Sequence, residues 1–240
     1  MKSLISSTFC GLALLTAVPV SGATLAAVAD SYVDKGSASA NFGTSAVLRV
    51  KNANSNFVRK AYMRFDVSSL TFDHTVDLQS ASLLLEFPDT GAGLGGGSNN
   101  WTFQVYGLND GDAGENWGES TINWNNAPQN DTANGNGVLG GATSLGTFSF
   151  VGRTQSVNFT GTGGTAVRDF VAASTSDDLL TFIVVRDTPE SGGDTYIHGI
   201  ASKENGSFTA PTLDLTAVPE PSTAVLLGSF ALAGLMRRRR

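Results

Sequence analysis

The chain has 240 residues, with 15 basic and 21 acidic side chains and a formal net charge of −6. That balance is wrong for a protein that neutralises nucleic-acid phosphates. A single cysteine, Cys10, excludes an intramolecular disulfide.

At the N-terminus Lys2 precedes an uncharged stretch, Leu4 to Val18, and Ser21-Gly22-Ala23 then supplies small residues. This order predicts a signal peptide over residues 1–23, cut by signal peptidase near Ala23. Cys10 lies inside the apolar stretch behind bulky Phe9, so it reads as a passive signal-peptide residue. Without both terminal signals the chain keeps 10 basic and 20 acidic residues and no thiol.

The interior is punctuated by Gly, Asn, Ser and Thr, and it predicts strands joined by turns. The expected strands are residues 30–33, 47–50, 61–67, 80–87, 103–108, 144–150, 155–159, 179–186, 195–201 and 212–215. In the third, Ala61, Met63, Phe65 and Val67 alternate with Tyr62, Arg64 and Asp66, which predicts one dry and one polar face. Val167, Phe170 and Val171 are spaced as on a helix, so residues 165–173 are expected to form a short one. The fold expected is all-β: a single jelly-roll-like β-sandwich with one short helix over residues 24–216.

Residues 217–240 close the chain with Pro219-Glu220-Pro221, an apolar run Ser222 to Met236, and Arg237-Arg238-Arg239-Arg240. Fifteen helical residues span about 22 Å, short of the roughly 20 residues a bilayer core asks for. The tail therefore predicts a transient stop in the membrane, with its arginines on the cytoplasmic side, followed by processing. In this order the three parts resemble the PEP-CTERM sorting signal of Gram-negative bacteria that make extracellular polysaccharide. The resemblance implies recognition by an exosortase-type transpeptidase, transient anchoring in the inner membrane, and delivery to the cell surface or extracellular matrix.

A second resemblance rests on three blocks. The opening block is Ala29-Asp30-Ser31-Tyr32-Val33 with Asn41-Phe42-Gly43-Thr44-Ser45, Leu48-Arg49-Val50-Lys51, Tyr62-Met63-Arg64-Phe65-Asp66 and Ser68-Ser69-Leu70. The middle block runs from Trp117-Gly118-Glu119-Ser120 to Ala127-Pro128, and the closing block is Ala201-Ser202-Lys203-Glu204 with Pro211-Thr212-Leu213. These are similar to DNRLRE-type domains and carbohydrate-binding module family 96. The resemblance implies an extracellular, usually non-catalytic β-sandwich, here without an attached enzyme domain.

Candidate site residues follow from this chemistry. Trp117, in a polar loop, and Trp101 are candidates to stack on sugar rings; the alternative is core packing, which is also the reading of Trp124. Arg49 and Lys51 share a strand face and suit acidic sugars; the alternative is a solvated face paired to Asp66 and Glu86. Asp110, Asp112 and Glu115 concentrate oxygen ligands for structural calcium, although the spacing departs from the EF-hand template. Gly91-Ala92-Gly93-Leu94-Gly95-Gly96 matches a dinucleotide fingerprint by letter but opens no helix, and reads as a flexible surface loop. His74 and His198 lack a metal-ligand spacing, and acidic pairs such as Asp177-Asp178 or Glu115 with Glu119 carry little weight for hydrolysis. The function expected is a non-catalytic, polysaccharide-associated binding or structural module. The alternatives are a secreted polysaccharide lyase or glycoside hydrolase, and an adhesive scaffold without sugar affinity.

Overall fold

Runs rich in Val, Ile, Leu, Phe and Thr, broken by Gly, Asn and Asp turns, fold into eleven antiparallel strands among the described residues. The computed structural model describes residues 21–218 apart from Asn54, Ser55, Ser98 and Gly192. The sorting tail and most of the signal peptide, with the expectations placed on them, lie outside that range. Among the described residues no helix is long and apolar enough to cross a membrane.

One sheet has the order β1 (Gly22–Ala26), β11 (Thr212–Ala217), β5 (Leu78–Phe87), β8 (Gln155–Phe159). The second has the order β2 (Ala29–Asp34), β4 (Arg59–Asp66), β9 (Leu179–Arg186), β6 (Asn100–Leu108), β7 (Ala142–Val151). A two-stranded ladder joins β3 (Val47–Val50) to β10 (His198–Ala201). Leu83, Leu85 and Phe87 of β5 and Leu213 and Leu215 of β11 share one core with Met63, Phe65, Phe103, Phe182 and Val184 of the other sheet. This is a sandwich. Phe103 stacks between Phe148 and Phe150, at 5.1 and 5.2 Å, and Phe87 meets it from the opposite sheet. The short helix α1 (Ala166–Ala172) adds Val167 and Val171 to this core.

One strand was not expected, and two expectations need correction. β1 begins at Gly22, where Gly22 and Ala23 pair with Thr216 and Leu215. The polar outer face of β4 is covered rather than solvated: Tyr62 is buried with Val33, Ile183 and Val185 beneath Trp117, Ile122, Trp124 and Ala127. The reason is the long β6–β7 connection, residues 109–141, which lies over the outer face of the five-stranded sheet. It is pinned by Lys60, whose buried ammonium donates to Asn130 Oδ1 at 2.7 Å and to the Gly137 carbonyl, with the Trp124 ring 4.9 Å away. Burial pushes this lysine down to about 7. The second correction concerns the glycine-rich loop, which is tied down rather than flexible. The Ala92 and Leu94 carbonyls accept from the N–H groups of Ile197 and Thr195, and the Gly96 N–H donates to Asp194. At Gly96 (φ +80°) a Cβ would lie 2.6 Å from the Tyr196 ring, so only glycine fits.

Candidate functional site

The three sequence blocks that carry the second resemblance meet in space, and their polar residues stitch the chain. Asn41 donates to the carbonyls of Glu119 and Ile122 at 2.7 and 2.8 Å. Gly43 lies so close to this turn that a Cβ would sit 2.3 Å from the Glu119 carbonyl oxygen. Glu119 in turn accepts from the Asp30 backbone N–H at 2.8 Å and from the Lys203 ammonium at 2.9 Å. The Lys203 N–H donates to Asp30 Oδ2, also at 2.8 Å. Positions 30, 41, 119 and 203 thus form one polar knot between β2, the β2–β3 connection, the β6–β7 connection and the turn after β10. Burial pushes the Asp30 carboxyl up to about 7, against the Lys203 hydrogen bond that lowers it.

The expected sugar-contact residues are not gathered into one surface. Trp117 is only 7% exposed; its indole N–H donates to Thr181 Oγ1 at 3.0 Å and Arg64 lies over the ring at 5.2 Å. Trp101 is 1% exposed under the Arg186 guanidinium, 4.5 Å from its ring. Neither indole presents a face to solvent, because Trp117 packs on Tyr62, Arg64 and Thr181 of the five-stranded sheet and Trp101 on Arg186 and His198. Lys51 is buried in an ion pair with Glu190 at 2.8 Å, rather than with Asp66 or Glu86, and Arg49 is half-buried on β3. Arg59 pairs with Asp34 at 2.8 Å.

The expected calcium residues divide. Asp110 and Glu115 place carboxylate oxygens within 4.8 Å of Asp177, which the spacing did not suggest. Asp112 stands apart, accepting from the Gly114 N–H and the Gln129 amide. Burial, and then the charge of Asp177, pushes Glu115 up to about 7. Asp110 is held by Thr175 and Ser176, each giving a hydroxyl and a backbone N–H. Asp110 and Glu115 border a cavity of about 450 Å³ beneath α1, walled by Leu108, Leu145, Phe170 and Leu180. His74 is occupied by the Ser174 carbonyl at 2.9 Å.

A second cleft, of about 340 Å³, was not anticipated. Two Asn-rich turns close it, one bearing Asn52 and Asn56, the other Asn134 and Asn136, with Lys35 between them. Asn52 and Asn136 are braced by donating to the carbonyls of Asp187 and Arg186, whereas Asn56 and Asn134 are exposed. Phe57 follows the lining residue Asn56 in the chain and has 56% of its surface exposed, with the Lys51 ammonium 5.6 Å from its ring. Amides offer paired donors and acceptors, Lys35 one positive charge and Phe57 an apolar face. The sequence signal was asparagine density in two turns that are far apart along the chain.

A family model for carbohydrate-binding module family 96 matches residues 21–143, and one for the PEP-CTERM protein-sorting motif matches residues 217–240. No curated protein matches the chain. Both family resemblances seen in the sequence are thereby met. The first match ends before the closing block, which the Lys203 contacts join to the matched part.

Proposed function

Because the chain belongs to carbohydrate-binding module family 96, we propose that it is an exported protein of the cell surface or extracellular matrix that binds extracellular polysaccharide without cutting it. The sorting motif at 217–240 supports export, with an exosortase-type transpeptidase and signal peptidase as processing partners and the inner membrane as a transient anchor. The strand register favours a mature body that keeps Gly22 to Ala217 whole.

The observation that carries the binding reading is the Asn-lined cleft beside Phe57. Sugar hydroxyls both donate and accept, and exposed carboxamides match them in both senses. A pyranose ring has an apolar face that an exposed phenyl ring can cover. Lys35 favours a sugar that carries an anionic group nearby.

The exported protein is expected to be retarded on an affinity gel that contains the producing cells' own polysaccharide. Phe57→Ala should weaken that retention by about tenfold, since losing one stacking face costs about 1–2 kcal/mol. A folded protein that runs unretarded would remove the binding reading. One feature favours the lyase or hydrolase reading, namely Glu115 held near neutrality beside Asp110 and Asp177 at the larger cavity. Release of reducing ends or unsaturated uronates by the purified protein would establish that reading instead.

A further inference from the structure

We propose that Asp30, Glu119 and Glu204 form a binding site for a divalent cation of the calcium class. Each offers a carboxylate oxygen within 4.8 Å of the other two. Asp30 is fully buried, and while its Oδ2 accepts from the Lys203 N–H, its Oδ1 has no hydrogen-bond partner among the described residues. A buried carboxylate oxygen without a donor is costly, and a cation is a partner that removes the cost at Asp30 Oδ1 while leaving the Lys203 N–H bond to Oδ2 in place.

The charge count points the same way. Three carboxylates face one ammonium, Lys203, which reaches Glu119 at 2.9 Å and Glu204 at 3.4 Å. Two negative charges are left over, which matches a divalent ion. All donors are oxygens and neither imidazole nor thiol joins them, so hard cations are favoured over zinc. Glu204 is exposed, which leaves one side open for the ion and its remaining waters. The three ligands come from β2, the β6–β7 connection and the turn after β10, so the ion would cross-link the same segments that the Lys203 bonds to Asp30 and Glu119 join. The Asp110, Glu115 and Asp177 cluster lacks a comparable orphan carboxylate oxygen.

The test is calorimetric titration of Ca²⁺ into the full chain, purified in detergent and stripped with a chelator, together with its thermal unfolding midpoint. One Ca²⁺ per chain and a raised midpoint are expected. Glu204→Gln should weaken binding by about tenfold or more, because a carboxylate ligand and its charge are lost. Lys203→Gln should tighten it by removing the competing ammonium, a response that a purely structural ion-pair cluster would not give. Asp110→Asn should leave affinity unchanged. Absence of Ca²⁺ heat and of any midpoint shift overturns the proposal. So does binding lost in Asp110→Asn but kept in Glu204→Gln.

Discussion

Arg186→Met should lower the unfolding free energy of the exported protein by about 3–5 kcal/mol in urea titrations, because it strips donors from several buried acceptors at once. The guanidinium donates to the carbonyls of Tyr196 at 2.7 Å, Thr188 at 3.1 Å and Asn52 at 3.2 Å, and lies over Trp101. No carboxylate comes within ion-pair distance among the described residues, and burial pushes the group down to about 10. Replacing a buried ion pair by apolar side chains can be neutral, but here the partners are backbone carbonyls that no substitution removes. Methionine fills the volume and leaves them unpaired. The Asn52 carbonyl belongs to one wall of the Asn-lined cleft, so the same substitution should also weaken polysaccharide retention. A loss under about 1 kcal/mol would show that the carbonyls find other donors.

His198 gives the second large effect, and it depends on pH. Arg186 can only donate, so its contact at 3.3 Å makes Nδ1 the acceptor, and Nε2 carries the hydrogen toward the Gly152 carbonyl at 3.2 Å. Burial, with the Arg186 charge adding to it, pushes the imidazole down to about 4. Trp101, Phe103, Phe150 and Tyr196 enclose the ring. The folded state refuses a proton that the unfolded chain accepts from pH 6.5 downward. Stability from this group is therefore full above pH 6.5 and is lost as pH falls toward 4, by about 3 kcal/mol. Asp30 and Glu115, both raised to about 7, act in the opposite sense: their contribution is present at low pH and declines as pH rises through 7. The measurement is thus the difference in unfolding free energy between the protein and His198→Gln across pH 4 to 7, in which those carboxyls cancel. A difference that stays flat over this range would contradict the buried neutral imidazole.

Much of the fold was legible because strand period and turn chemistry are local properties. β3, β8 and β9 have the expected bounds, and α1 sits within residues 165–173. β1 was missed because Ser21-Gly22-Ala23 satisfies a signal peptidase and a tight strand pairing equally well. The buried outer face of β4 was missed for a different reason. Tyr62 and Arg64 alternate with Met63 and Phe65 as a solvated face would, and only the aperiodic residues 109–141 decide that they are covered. Trp117 illustrates the same limit, since Asn116 and Gly118 read as an exposed loop while its partner Thr181 lies on a distant strand. Asp177 joins Asp110 and Glu115 through the turn after α1, which spacing cannot foresee. The cleft beside Phe57 depends on two turns closing over Lys35, a long-range event written in neither turn alone.

The most direct test of polysaccharide binding at that cleft is a ¹H–¹⁵N NMR titration of the exported protein with oligosaccharides cut from the producing cells' polysaccharide. Shifts concentrated on Asn52, Asn56, Phe57, Asn134 and Asn136, side-chain amides included, are expected. Shifts gathered instead around Asp110, Glu115 and Asp169, or a well-folded spectrum that does not move, would contradict it.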